Sequence, residues 1–178
     1  MRTVDPLVIE YIIKTNVHWV ALKRFFLGKD SIFNNSKNAL LCKITKELFR
    51  KLEFFPVERK QDNEKCNNIQ SLKNMSLFLQ NGYSVGIFPE GTTRKYHNEF
   101  FGNFDPLFVK LAKRNNAVIQ PILICWTDGK HRRPIVNFGN IIKTDSQDVE
   151  DIFDQYMKIQ KDLFSENMTL IEKKISVL

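Results

Sequence analysis

Short apolar runs that read as strands alternate with segments of helical spacing along this chain, and that alternation confines it to few folds. Residues 6–15 carry Leu7, Ile9, Tyr11, Ile12 and Ile13 on a broad face behind Pro6, a residue suited to a helix start. Residues 19–26 read as a strand. Residues 37–52 form an amphipathic helix, with Leu40, Leu41, Ile44, Leu48 and Leu52 at three- and four-residue steps. A short strand at 54–58 is followed by Arg59. After a polar loop, Ile69, Leu72, Met75 and Leu79 mark a helix that stops at Asn81-Gly82. Strand 84–88 follows at once. The pattern then predicts a helix over 106–114, strands over 118–125 and 133–138, and two helices over 146–164 and 168–177. Strands separated by helices argue an α/β fold with a largely parallel central sheet flanked by helices.

The 178 residues suffice for one domain with a sizeable core, read here as a single unit over 1–178. A hydrophobic content of 43% excludes a disordered chain. The net charge of +7 draws phosphates, whether on nucleic acid, anionic lipid or a small substrate. No Gly-x-x-x-x-Gly-Lys-Ser/Thr loop, Gly-x-Gly-x-x-Gly or RNA-recognition aromatic block is present, which argues against nucleotide and nucleic-acid binding. Cys42, Cys66 and Cys125 are scattered without metal spacing, and so are the three histidines. No zinc site is expected, and reduced thiols in a cytoplasmic setting are. No run approaches the roughly 20 apolar residues needed to span a bilayer.

Chemistry gathers where strands end, which is where open α/β sheets bind ligands. The strand at 84–88 runs into Pro89-Glu90-Gly91-Thr92-Thr93-Arg94. This turn places a carboxylate, two hydroxyls and a guanidinium within five positions. Gly91 lets the backbone approach a ligand, and Arg94 offers a planar fork suited to phosphate. Arg59 stands at the end of a second strand.

Phe88-Pro89-Glu90-Gly91-Thr92 resembles the central motif of the glycerolipid acyltransferases, the 1-acylglycerol-3-phosphate acyltransferase family. Phe55-Pro56-Val57-Glu58-Arg59 is similar to that family's second motif, and Val118-Ile119-Gln120-Pro121-Ile122 to its fourth. Three blocks in order, over about residues 1–140, make the likeness specific. Thr93 stands where the family has an arginine, and Arg94 comes one place later. Thr3-Val4-Asp5-Pro6-Leu7 resembles the tail of the catalytic motif, which runs Asn-His, four residues and then Asp. Counting back from Asp5, that histidine falls directly before Met1. The chain is therefore expected to begin one residue after its base and to show little activity as it stands. The alternative is a non-catalytic lipid- or phosphate-binding relative that has lost the histidine.

The resemblance implies a glycerol-3-phosphate acyltransferase-like fold and acyl transfer from acyl-CoA or acyl-carrier protein to a lysophospholipid hydroxyl, in phospholipid biosynthesis. No cofactor beyond the acyl carrier is implied. A hydroxyl needs a positioned base, and Asp5 would hold an imidazole in the right tautomer. Backbone amides at Gly91 and Thr92 would meet the oxyanion. Arg59 and Arg94 would grip the lysophosphatidate phosphate, and Glu90 would hydrogen-bond the glycerol. Local roles stand beside these: Asp5 as the cap before Pro6, Glu90 as a structural acceptor, Arg59 in an ion pair with Glu58 or Glu90. His18, His97 and His131 read as packing or surface residues. The expected setting is peripheral, on the cytoplasmic face of an anionic membrane, or soluble in the cytoplasm.

Overall fold

The computed structural model describes residues 5–14, 17–22, 54–58, 67–90, 104–127 and 133–175. The helix expected over 37–52 lies outside them, as do His97 and His131. The chain divides into two compact units, one of residues 14–88 and one of residues 1–13 with 89–178.

The unit of residues 14–88 contains a three-stranded parallel sheet. Strand β1 (Val17–Leu22) lies between β2 (Phe55–Val57) and β3 (Ser84–Gly86). Val20 pairs with Phe55 and Val17 with Ser84. Parallel neighbours need long crossovers, and α2 (Ile69–Gln80) lies between β2 and β3 and packs on both. Successive side chains of a strand face opposite ways. Val17, Trp19 and Ala21 are buried, and the Trp19 ring stacks on Phe88 with centroids 5.3 Å apart. His18, of opposite parity, meets Phe78 and Tyr83 edge-on at 4.5 and 5.6 Å. It is a packing histidine, as the sequence suggested.

Helix α2 buries Ser71 and Met75, whereas Ile69, expected on the inner face, is exposed. The Ser71 hydroxyl donates to the Pro56 carbonyl, so the helix is fixed to β2 by a polar contact that hydrophobic spacing does not reveal. The helix ends as Asn81-Gly82 foretold. Gly82 has φ +80°, the Tyr83 N–H donates to the Phe78 carbonyl at 3.0 Å, and the Gly82 N–H donates to that of Leu79 at 3.1 Å. These two bonds are the glycine-terminated helix stop.

The other unit holds α1 (Asp5–Ile13), α3 (Leu107–Arg114), β4 (Ile122–Trp126), β5 (Pro134–Phe138) and α4 (Val149–Ile175). Its core is Val109, Ala112, Ile119, Ile142, Ile152 and Tyr156. Two expectations need correction here. The strand expected over 118–125 is split: Ile119 makes an isolated bridge to Ile142, and the regular strand starts only at Ile122. Pro121, lacking an N–H, cannot donate to the ladder between them. The two helices expected over 146–164 and 168–177 are one, because Ser165-Glu166-Asn167 contains no proline or glycine and continues the turn. Strands β4 and β5 pair antiparallel, from Ile122 opposite Phe138 to Trp126 opposite Pro134. Seven residues join them, too few for the crossover a parallel pair requires.

Candidate active site

Asp5 opens α1, and its side chain is 1% exposed. A carboxyl group that deep needs hydrogen-bond donors. One is the indole N–H of Trp126, which donates to Asp5 Oδ1 at 3.0 Å. Trp126 is the last residue of β4, so the strand's carboxyl end meets the helix's first turn across 121 residues of sequence.

Strand β4 is held from behind by α4. The Gln160 amide donates to the Ile122 carbonyl at 3.4 Å and to the Tyr156 hydroxyl at 3.0 Å. The Asn167 amide, fully buried, reaches the Cys125 sulfur at 3.5 Å. Burial pushes the Cys125 thiol up, with the Asn167 contact working against it. The thiol therefore stays protonated at neutral pH and is a poor nucleophile.

Glu90 is half-buried in a turn at Pro89-Glu90. Asp105 ties that turn to the start of α3. Its N–H donates to the Pro89 carbonyl at 3.2 Å, and its carboxylate accepts the Leu107 N–H at 2.9 Å. Burial raises the Tyr156 hydroxyl well above the ordinary tyrosine range; the Gln160 bond opposes this, and the charge of Glu90 adds to it. Glu90 is thus within electrostatic reach of α4.

Asp5 and Glu90 fall in the same compact unit. Arg59, Gly91, Thr92 and Arg94 lie outside the described residues. In the other unit Glu58, the residue before Arg59, donates its N–H to the Asn68 side-chain oxygen at 2.8 Å and accepts the Asn68 amide on its carbonyl at 2.9 Å. Among the described residues no three His, Cys, Asp or Glu side chains cluster in a way that could hold a metal ion.

Sequence reasoning did not single out Trp126, Tyr156, Gln160 or Asn167. For Trp126 the available signal was its place at the carboxyl end of an apolar strand. The other three sit on an amphipathic helix whose pattern shows only which face is buried.

A model of the acyltransferase family matches residues 2–125. No curated protein and no solved structure gives a significant match.

Proposed function

The chain belongs to the acyltransferase family, and on that premise we propose that it moves a fatty acyl group from a thioester carrier to the free hydroxyl of lysophosphatidate or a related lysophospholipid, as a step of phospholipid synthesis. Acyl-CoA or acyl-carrier protein is the donor, and no further cofactor takes part. The observation that carries this reading is Asp5. A carboxyl group at the family motif's Asp position is 1% exposed and accepts from an indole N–H, a placement that suits a group orienting an imidazole.

In the family motif a histidine five places ahead of the Asp takes the proton of the acceptor hydroxyl, and Asp5 is the carboxylate of that pair. The oxygen attacks the thioester carbonyl, a C–O bond forms, and the carbonyl oxygen becomes an oxyanion. Backbone N–H groups at Gly91 and Thr92 stabilise that charge. The C–S bond then breaks, and the departing thiolate receives the proton from the imidazolium. Asp5 keeps the ring in the tautomer that can do both. Arg59 and Arg94 hold the phosphate through paired N–H donors. Glu90 accepts from the glycerol and sets which hydroxyl faces the base.

The test is transfer from acyl-CoA to lysophosphatidate by the full chain, with and without Asn-His placed ahead of Met1. The pair should raise the rate about 10²–10⁴-fold, the usual effect of a general base. Binding of lysophosphatidate with no transfer in either form would instead support the non-catalytic relative.

A further inference from the structure

We propose that Trp126 is a positioning residue for acyl transfer, acting through Asp5. Within the unit of residues 1–13 and 89–178, its indole N–H donates to Asp5 Oδ1 at 3.0 Å. The family match ends at residue 125, so Trp126 lies one place beyond it. The inference rests on the proposed role of Asp5 and adds what sets that carboxylate's direction.

A carboxylate can rotate about its last bond, and a rotated one offers an imidazole the wrong oxygen at the wrong angle. A donor fixed on a rigid element removes that freedom, and misorientation of a catalytic group by about 1 Å costs about 10²-fold. Trp126 meets the requirement for rigidity. It closes β4, where it is paired with Pro134 of β5. Helix α4 grips the same strand at Ile122 through Gln160 and at Cys125 through Asn167. Gln160 is 3% exposed and Asn167 is wholly buried, so neither clamp competes with bulk water. The route from α4 through β4 and Trp126 to Asp5 is thus continuous packed structure. It gives the long C-terminal helix, outside the family match, a part in placing the catalytic carboxylate.

An indole is also a donor only, and a neutral one. It cannot take the proton that the imidazole must carry, and it cannot form an ion pair that would draw the carboxylate away from the ring. Lysine or arginine at this place would do the second.

The first arm of the test needs no turnover. In the full chain, Asp5→Ala, which removes the acceptor, should move the Trp126 indole N–H resonance and speed its exchange with solvent. A resonance that ignores Asp5→Ala overturns the inference. The second arm uses the chain bearing Asn-His ahead of Met1. Trp126 is replaced by benzothienylalanine, which keeps the ring shape and lacks the N–H, and separately by 7-azatryptophan, which keeps it. The first should lower kcat about tenfold to hundredfold with KM for lysophosphatidate unchanged, and lower the melting temperature by a few degrees because a buried acceptor loses a donor. The second should restore the rate. In an Asp5→Asn background, benzothienylalanine should add no further loss. If Asp5→Asn abolishes transfer while benzothienylalanine leaves kcat intact, the role of Trp126 fails and the proposed function stands. If Asp5→Asn leaves transfer intact, or if no form transfers acyl groups, the proposed reading of Asp5 fails and this inference falls with it.

Discussion

Asp5 and Tyr156 are ionisable side chains buried in the same unit, and each is met by a neutral donor: the Trp126 indole for one, the Gln160 amide for the other. For Tyr156 the consequence is measurable. Burial raises its hydroxyl above the ordinary tyrosine value of about 10. Between that value and its folded one, the unfolded chain releases a proton that the folded chain keeps. Stability contributed by this group is therefore intact below pH ~10 and lost as pH rises further. Tyr156→Phe should unfold with a shallower alkaline limb than the parent in denaturant titrations from pH 9 to 11. At neutral pH it should cost about 1 kcal/mol, from the stranded Gln160 amide. An alkaline limb identical to the parent's would show that Tyr156 ionises as freely folded as unfolded. Arg59 carries the second prediction at this scale. Arg59→Ala should weaken binding of lysophosphatidate far more than of an uncharged monoacylglycerol, measured by calorimetry. Arg59→Lys should be defective as well, since a point charge does not replace a fork. Equal losses for both lipids would make Arg59 a structural residue.

At the scale of elements, two glycines are required for different reasons. Gly82 ends α2 at φ +80°, with open space where a Cβ would stand. Its cost of replacement is purely conformational, so Gly82→Ala should lower stability by about 1–2 kcal/mol without disturbing the sheet. Gly86 is the opposite case. Its φ is ordinary, but a Cβ there would run into the Trp19 indole. Gly86→Ala must push that ring off its stack with Phe88, and overpacking of this kind costs about 1–3 kcal/mol. Near-ultraviolet circular dichroism separates the two. The tryptophan signal should change in Gly86→Ala and persist in Gly82→Ala. A preserved signal in both would mean that β3 moves away from Trp19 instead.

For the molecule as a whole, charge and exposed apolar surface give different expectations for how it would meet the lipid proposed as its substrate. The net charge is +7, and among the described residues no helix is long and apolar enough to cross a membrane. If the charge governs, vesicle cosedimentation should fall as salt rises and be weak on neutral lipid, since each basic group near an anionic surface is worth about 1 kcal/mol. Lys23-Arg24, Lys51 and Lys130–Arg133 are the candidate contacts, of which Arg133 is among the described residues and exposed. Helix α1 offers the other mode. The sequence face of Leu7, Tyr11 and Ile12 is exposed, Tyr11 to 84%, and only Ile9 of that face is buried. Binding that ignored salt and lipid charge would transfer the role from the basic residues to this face. Leu7→Ser with Ile12→Ser should then abolish it.

Most of the elements were legible in the sequence because their causes are local. The strand read over 19–26, which in the structure starts two residues earlier at Val17, the spacing along α2 and the Asn81-Gly82 stop each depend on a few neighbouring residues. The turn at Pro89-Glu90 was legible for the same reason, since proline constrains the chain wherever it occurs. What tertiary structure alone decided is pairing over distance. No spacing rule joins Trp126 to Asp5, 121 residues away, or turns Asn167 inward to Cys125 where a polar triplet read as a helix break. Nor does local propensity choose Ser71 over Ile69 as the buried residue of α2; the bond of Ser71 to the Pro56 carbonyl does. Hydrophobic period tells a helix which side is inside. Only the partner's unpaired groups determine which polar residue that side must carry.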